Sequence, residues 1–276
     1  MTCKEKIQNI YEVRGLKIKV SCLQMDIAFG DPVRNYQSAE KLIEKAMEKH
    51  PDILVLPELW TTGYDLTRLD EIADQHAMQT ITFLQAAAKK HKVHFVGGSV
   101  ANRGEKGVSN TLLIITKEGE VIHQYDKLHL FKLMDEHLFL EAGSKKGLFQ
   151  VEDHLFAGVI CYDIRFPEWI RAHTSEGAVA LFVVAEWPAA RLQHWRTLLI
   201  ARAIENQCYV IACNRSGSDP NNQFAGHSLI IDPWGEIIAE AGEQEDILSA
   251  EINLELVKEI RKQIPIFEDR KPNSYY

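Results

Sequence analysis

Short apolar runs recur along this chain at strand length. "DILVLP", "VHFVGG", "TLLIIT", "FAGVIC", "ALFVVA", "YVIAC" and "SLIID" are too uniformly apolar for a half-exposed strand and too short for a core helix. They read as strands buried on both faces. Segments of helical period separate many of them. Asp31 is a good N-cap with Pro32 at the first helical position, and Val33, Tyr36, Ile43 and Met47 fall on roughly one helical face. Further helices are predicted over 78–91, from Pro167, over about 190–207 and over 254–263. Two hairpins are expected, one turning at Glu118-Gly119 and one at Asp232-Pro233-Trp234-Gly235. Alternation of this kind argues for an α/β chain with buried, mixed sheets. No Gly/Ser/Pro-rich linker divides it. Residues 17–272 therefore read as one domain, preceded by a loose amino-terminal extension over 1–16, and the last residues, "IPIFEDRKPNSYY", read as irregular. One internal echo is visible: "ILVLPELW" and "LFVVAEWP" are both apolar runs that end in Glu near Trp.

Several function classes drop out on composition. The longest apolar candidates, Ile53–Leu56 and Val179–Ala185, fall far short of the roughly 20 residues of a membrane span. The stretch "MTCKEKIQNIYEVRG" lacks the apolar core of a signal peptide. A net charge of −8 argues against a nucleic-acid partner. The five cysteines are odd in number and mostly sit in apolar strands or helices, which fits a reducing cytoplasm better than a disulfide framework. No Cys/His cluster has zinc spacing, and "VGGSV" is a strand with glycines and not a nucleotide fingerprint. Neither a metal nor an organic cofactor is expected.

The reactive residues lie at strand ends, where open α/β sheets bind their ligands. Glu58 follows "ILVLP", Lys127 follows "EVIHQYD", and Cys161 ends "FAGVI" just before a turn into the helix that begins at Pro167. A thiol is mostly protonated at neutral pH and needs a base. A buried glutamate can serve as one, and a lysine can supply charge for a thiolate or an oxyanion. Each residue also has an ordinary reading: a core cysteine, a capping acid, and a solvated pair of Lys127 with Asp126.

Three longer stretches change that balance. "LPELWTTGY", "YDKLHLF" and "GVICYDIRFPEW", in this order, resemble the nitrilase superfamily of carbon–nitrogen hydrolases. "MDEHLFLEAG", "ARAIENQCYV", "FAGHSLIIDPWGEIIAE" and "IFEDRKP" extend the resemblance over about residues 17–272. It implies a four-layer α-β-β-α sandwich, a Glu58–Lys127–Cys161 triad, and a second active-site glutamate at Glu136. Lys127 and the backbone N–H of Tyr162 would hold the oxyanion. The resemblance also implies a chain without metal or cofactor and a homodimer paired through helices beside the site.

Within the family, "LPELWTTGYD", "CYDIRFPEW" and "AEWP" are most similar to members that act on amides of 2-oxo acids, the ω-amidases. The partner implied is a small amide that carries a carboxylate. Arg165 is the natural clamp for it, with an ion pair to Asp163 or Glu168 as the structural reading. Tyr64, Trp187 and Phe131 are candidates for the pocket wall, and Glu186 for a place behind it. The triad does not separate an amidase from a nitrilase, a carbamoyl hydrolase or an acyl transferase. A non-catalytic regulator on the same fold stays open as another class.

Overall fold

The computed structural model describes residues 17–275; the expected extension over 1–16 lies outside the described residues. Two sheets carry the fold. The first orders its strands β13 (Asp246–Asn253), β1 (Lys17–Gln24), β2 (Ile53–Val55), β4 (His94–Arg103), β5 (Val108–Ile115) and β6 (Val121–Asp126), with the short β3 (Asp74–Gln75) beside β4. The second runs β12 (Ile237–Glu240), β11 (Leu229–Ile231), β10 (Tyr209–Asn214), β9 (Ala180–Ala185), β8 (His154–Ile160) and β7 (Leu148–Val151). Each sheet has three parallel strands at its heart, β1–β2–β4 and β8–β9–β10, followed by an antiparallel hairpin, β5–β6 or β11–β12. The strands of the internal echo, β2 and β9, are the middle members of the two parallel triplets.

Residues along the buried strands sort by parity. Ile53, Val55, Val96, Leu112 and Ile114 join the core shared with the second sheet. Their neighbours Leu54, Leu56, Phe95, Leu113 and Ile115 pack outward against helices α1 (Pro32–Met47) and α2 (Met78–His91). Alternate Cβ atoms of a strand point to opposite faces, so an unbroken apolar run is what a strand sandwiched between two apolar layers requires. Helices α3 (Pro167–Thr174) and α4 (Leu192–Asn206) cover the far side of the second sheet. The result is the α-β-β-α sandwich that the resemblance implied. The Cys213 thiol lies between the sheets, 3.4 and 3.5 Å from the Val55 and Leu23 carbonyl oxygens, and donates weakly to one of them at a time.

Some expectations need correcting. Val33 is 68% exposed; the buried face of α1 is Ala39, Leu42, Ile43 and Ala46, together with Asn35. Strand β7 was not anticipated, because its four residues carry too short a pattern. The tail is not wholly irregular: Ile266–Asp269 and Pro272–Ser274 form helical turns, and Phe267 lies under the guanidiniums of Arg171 and Arg261. The last helix, α5, spans Glu255–Gln263.

Candidate active site

Glu58 is placed by the segment that crosses β4 after Pro57. Gly98 has a φ of +66° and a Cβ there would meet the Pro57 carbonyl oxygen at 2.3 Å, so only glycine lets the two backbones approach this closely. Ser99 completes the attachment: its N–H donates to Pro57 O and its hydroxyl accepts from Leu59 N. Trp60 donates to Gly97 O and packs edge-on against Tyr36. The glycines of "VGGSV" thus serve the presentation of Glu58.

Cys161 sits on the sharp turn after β8 with a φ of +45°, a strained value for a residue with a Cβ. Asp163 holds the turn. Its carboxylate accepts from Ile160 N, His129 N and the Tyr125 hydroxyl, and contacts His129 Nδ1 at 2.7 Å. Arg202 of α4 donates to Ile164 O from the other side. Within the motif "YDKLHLF", Tyr125 and His129 brace the cysteine turn through Asp163, while Lys127 between them reaches the glutamates Glu58 and Glu136.

Lys127 is fully buried and donates to Glu58 Oε1 at 2.8 Å and to Glu136 Oε1 at 2.6 Å. Glu58 Oε1 also accepts from Asn110 Nδ2 at 2.9 Å, and its Oε2 accepts from Glu186 N at 2.8 Å. Glu136 Oε2 accepts from Phe131 N. The Tyr64 hydroxyl lies 2.5 Å from Glu136 Oε1 and 3.0 Å from Glu58 Oε1; having one proton, it donates to one of them at a time. Lys127 is therefore no solvated partner of Asp126, which instead accepts from the Thr111 hydroxyl. Glu136 does begin a short helical turn, Glu136–Phe139, but its side chain goes inward to the lysine.

Electrostatics follow from this burial. Desolvation, reinforced by Glu58, raises the Cys161 thiol well above its usual range, while Lys127 opposes the shift. Desolvation disfavours the Lys127 ammonium, but Glu136 and Glu58 outweigh it and hold the group charged. Glu136 is raised by desolvation against the pull of Lys127. Two carboxylates and one ammonium in a dry site favour retention of a proton.

Cys161 and Glu186 line a small pocket with the rings of Phe131, Tyr162 and Trp187 and with two guanidiniums, Arg165 and Arg191. Arg165 lies over the Trp187 ring at 4.8 Å, and Arg191 over Phe131 at 5.5 Å. The ion pairs considered for Arg165 do not form among the described residues: Asp163 is committed to the turn, and the polar neighbour of Arg165 is His194 Nδ1 at 3.4 Å. Tyr64, expected at the pocket wall, joins the carboxylate network instead. Glu186 is fully buried; its Oε2 accepts from Arg215 Nη1 at 2.9 Å, and its Oε1 has no protein partner. Desolvation pushes its carboxyl up to about 8, against the pull of Arg215.

Asn110, Asp163, Arg191 and Arg215 were not assigned to the site from sequence. A polar residue opening an apolar strand flags Asn110, and Arg215 follows its strand β10 as Glu186 follows β9. Arg191 gives no local signal. Among the described residues no group of three or more His, Cys, Asp or Glu is arranged to hold a metal ion, and no helix is long and apolar enough to cross a membrane.

A four-layer sandwich with a strained strand-end thiol set against a buried glutamate–lysine–glutamate cluster defines a class of hydrolase fold, and residues 19–262 match the carbon–nitrogen hydrolase family. The chain belongs to that family. It is 57% identical over 260 residues to a 2-oxoglutaramate amidase of Bacillus subtilis, covering 94% of this chain and all of that one. It is 36% identical to an omega-amidase of Escherichia coli strain K12, over 91% of this chain and 96% of the relative. A crystal structure of a carbon–nitrogen hydrolase superfamily protein from Xanthomonas campestris superposes with a TM-score of 0.87 at 33% identity, over 93% of this chain and 98% of that one.

Proposed function

We propose that the protein hydrolyses the terminal amide of a small 2-oxo acid through a thioester on Cys161, releasing ammonia and a carboxylic acid. The observation that carries this reading is the placement of Cys161. Its thiol opens onto a pocket with two guanidiniums and adjoins a fully buried glutamate–lysine cluster.

Glu58 takes the thiol proton as Sγ attacks the amide carbon. The carbonyl oxygen becomes an oxyanion and receives hydrogen bonds from Lys127 and from the Tyr162 N–H. Glu58 and Glu136 already occupy two of the three N–H donors of Lys127, and the third is the one assigned to the oxyanion. The carbon–nitrogen bond breaks, Glu58 returns its proton to the nitrogen, and ammonia leaves. Water then loses a proton to Glu58 and attacks the thioester. The carbon–sulfur bond breaks and the thiol is restored. Glu136 positions Lys127 throughout.

Arg165 binds the distal carboxylate, since guanidinium takes it bidentately and keeps its charge at working pH. The identity to a 2-oxoglutaramate amidase supports the choice of substrate class. Ammonia release from a panel of ω-amides of 2-oxo acids, with Cys161→Ala as control, tests the reading. Release from nitriles but not amides would overturn it. A homodimer in a reducing cytoplasm completes the proposal; sedimentation showing only monomer at micromolar concentration would remove the first part.

A further inference from the structure

Arg165 and Arg191 line the same pocket, each laid over an aromatic ring and each only partly exposed. Among the described residues neither forms an ion pair with a carboxylate. Burial and the nearby charge of Arg191 both lower the proton affinity of Arg165, so the two cations feel one another. The carboxyl lining the pocket with them is Glu186, and one of its oxygens is already committed to Arg215 at 2.9 Å. Like charges held together beside a pocket, neither of them ion-paired to a carboxylate among the described residues, form a site that an anion completes and a cation is repelled from.

We propose that Arg191 is a specificity-determining residue: with Arg165 it forms a two-guanidinium site for the carboxylate and adjoining oxo group of a 2-oxo acid. The uncompensated charge of the pair also excludes acids that carry a 2-ammonium group, such as glutamine. An ammonium beside the carboxylate would stand as a third cation in the cluster, whereas an oxo oxygen accepts a hydrogen bond from it. The inference rests on the reading of the reaction given above but can fail separately from it.

Two measurements test it. The first is calorimetric binding of 2-oxoglutarate, the acid that hydrolysis of the corresponding amide releases, to the wild-type protein and to Arg191→Gln and Arg191→Lys. Losing a hydrogen bond to a charged group is expected to weaken binding about 10–100-fold in Arg191→Gln, with partial recovery in Arg191→Lys. The second is kcat/KM for three amides of matched length: a 2-oxo acid amide, its methyl ester, and glutamine. Arg191→Gln should lose activity on the first, chiefly through KM, and retain most on the ester, so that the preference over glutamine narrows. Unchanged 2-oxoglutarate binding in Arg191→Gln, no binding by the wild type, or an equal loss on all three amides would overturn the proposal. Binding that depends on Arg191 in a wild type that releases no ammonia from any amide would sink the proposed reaction and leave the anion site standing.

Discussion

The two halves of the molecule repeat one strand order and use it differently. Glu58 follows β2 and Glu186 follows β9, the middle strands of the two parallel triplets, and the two residues meet where Glu186 N donates to Glu58 Oε2. Both side chains are fully buried. Glu58 is surrounded by Lys127, Asn110, Tyr64 and the Glu186 backbone. Glu186 has one cation, Arg215, and an oxygen without a protein partner. The first half thus builds a satisfied charge network, while the second supplies the thiol, the aromatic walls and cations that wait for a ligand. Equivalent positions in a fold do not confer equivalent chemistry; the neighbours that arrive from other strands decide it.

The contrast is sharpest at the glutamates. Glu58→Gln should reduce turnover by about 10²–10⁴-fold, the usual worth of general acid–base assistance, and Cys161→Ala should leave only background ammonia release. The same Glu58→Gln change removes a negative charge that raises the Cys161 thiol. Alkylation of Cys161 by a haloacetamide should therefore shift to lower pH in that variant even as turnover collapses. A shift to higher pH would show that Glu58 is not the group holding the thiol protonated.

Lys127→Ala comes next. Lys127 joins two buried carboxylates, so its loss leaves both without their ammonium and should cost about 3–5 kcal/mol of stability, a fall in Tm of roughly 5–10 °C for a chain of this length. Without the ammonium, the main opposition to the desolvation that already raises the Glu136 carboxyl above its ordinary value is gone. The variant's stability is then greatest at low pH and falls as pH rises toward neutrality. A variant as stable as the wild type at pH 7 would mean the network is not a structural unit.

At the rim, Arg165→Ala should lower kcat/KM for a carboxylate-bearing amide about 10–100-fold, the range for a hydrogen bond to a charged group. Partial exposure keeps the effect below that of a fully desolvated pair. The methyl ester of the same substrate should lose much less, and equal losses would make Arg165 a packing residue.

The smallest expected effect belongs to Glu186→Gln. The Glu186 carboxyl, pushed up to about 8, binds a proton in the folded state that the unfolded chain has already released. Its contribution to stability is fully present below the ordinary carboxyl range and is lost as pH rises to about 8. The Tm of the wild type relative to that of Glu186→Gln should accordingly fall from about pH 5 to 8 and then level off. A difference that does not change with pH would place Glu186 in a permanent ion pair with Arg215.

Much of the fold was legible in local pattern. Helix α2 and the two hairpins lie where the sequence places them, because a capping residue, a glycine at a turn or an uninterrupted apolar run acts over a few residues. Val33 failed because four apolar positions on one face do not say where that face ends. Of the site residues, the strand-end reasoning reached Glu58, Lys127 and Cys161 as candidates, and resemblance added Glu136. Arg191 could not be found this way: it lies on a short turn before α4, and its meaning comes from standing beside Arg165, 26 positions earlier in the chain.

The sequence by itself determined the longer buried strands, the helices that cover them and which reactive side chains stand at strand ends, since these follow from periodicity and the residues that start or stop an element. Tertiary structure alone decided the partners. It set Tyr64 between two carboxylates instead of on the pocket wall, turned Asp163 into the clamp of the cysteine turn, and brought Arg165 and Arg191 to one pocket with neither ion-paired to a carboxylate among the described residues. Hydrogen bonds and Coulomb forces depend on distances of a few ångströms, and which groups come that close across two packed sheets is fixed only when the whole chain has folded.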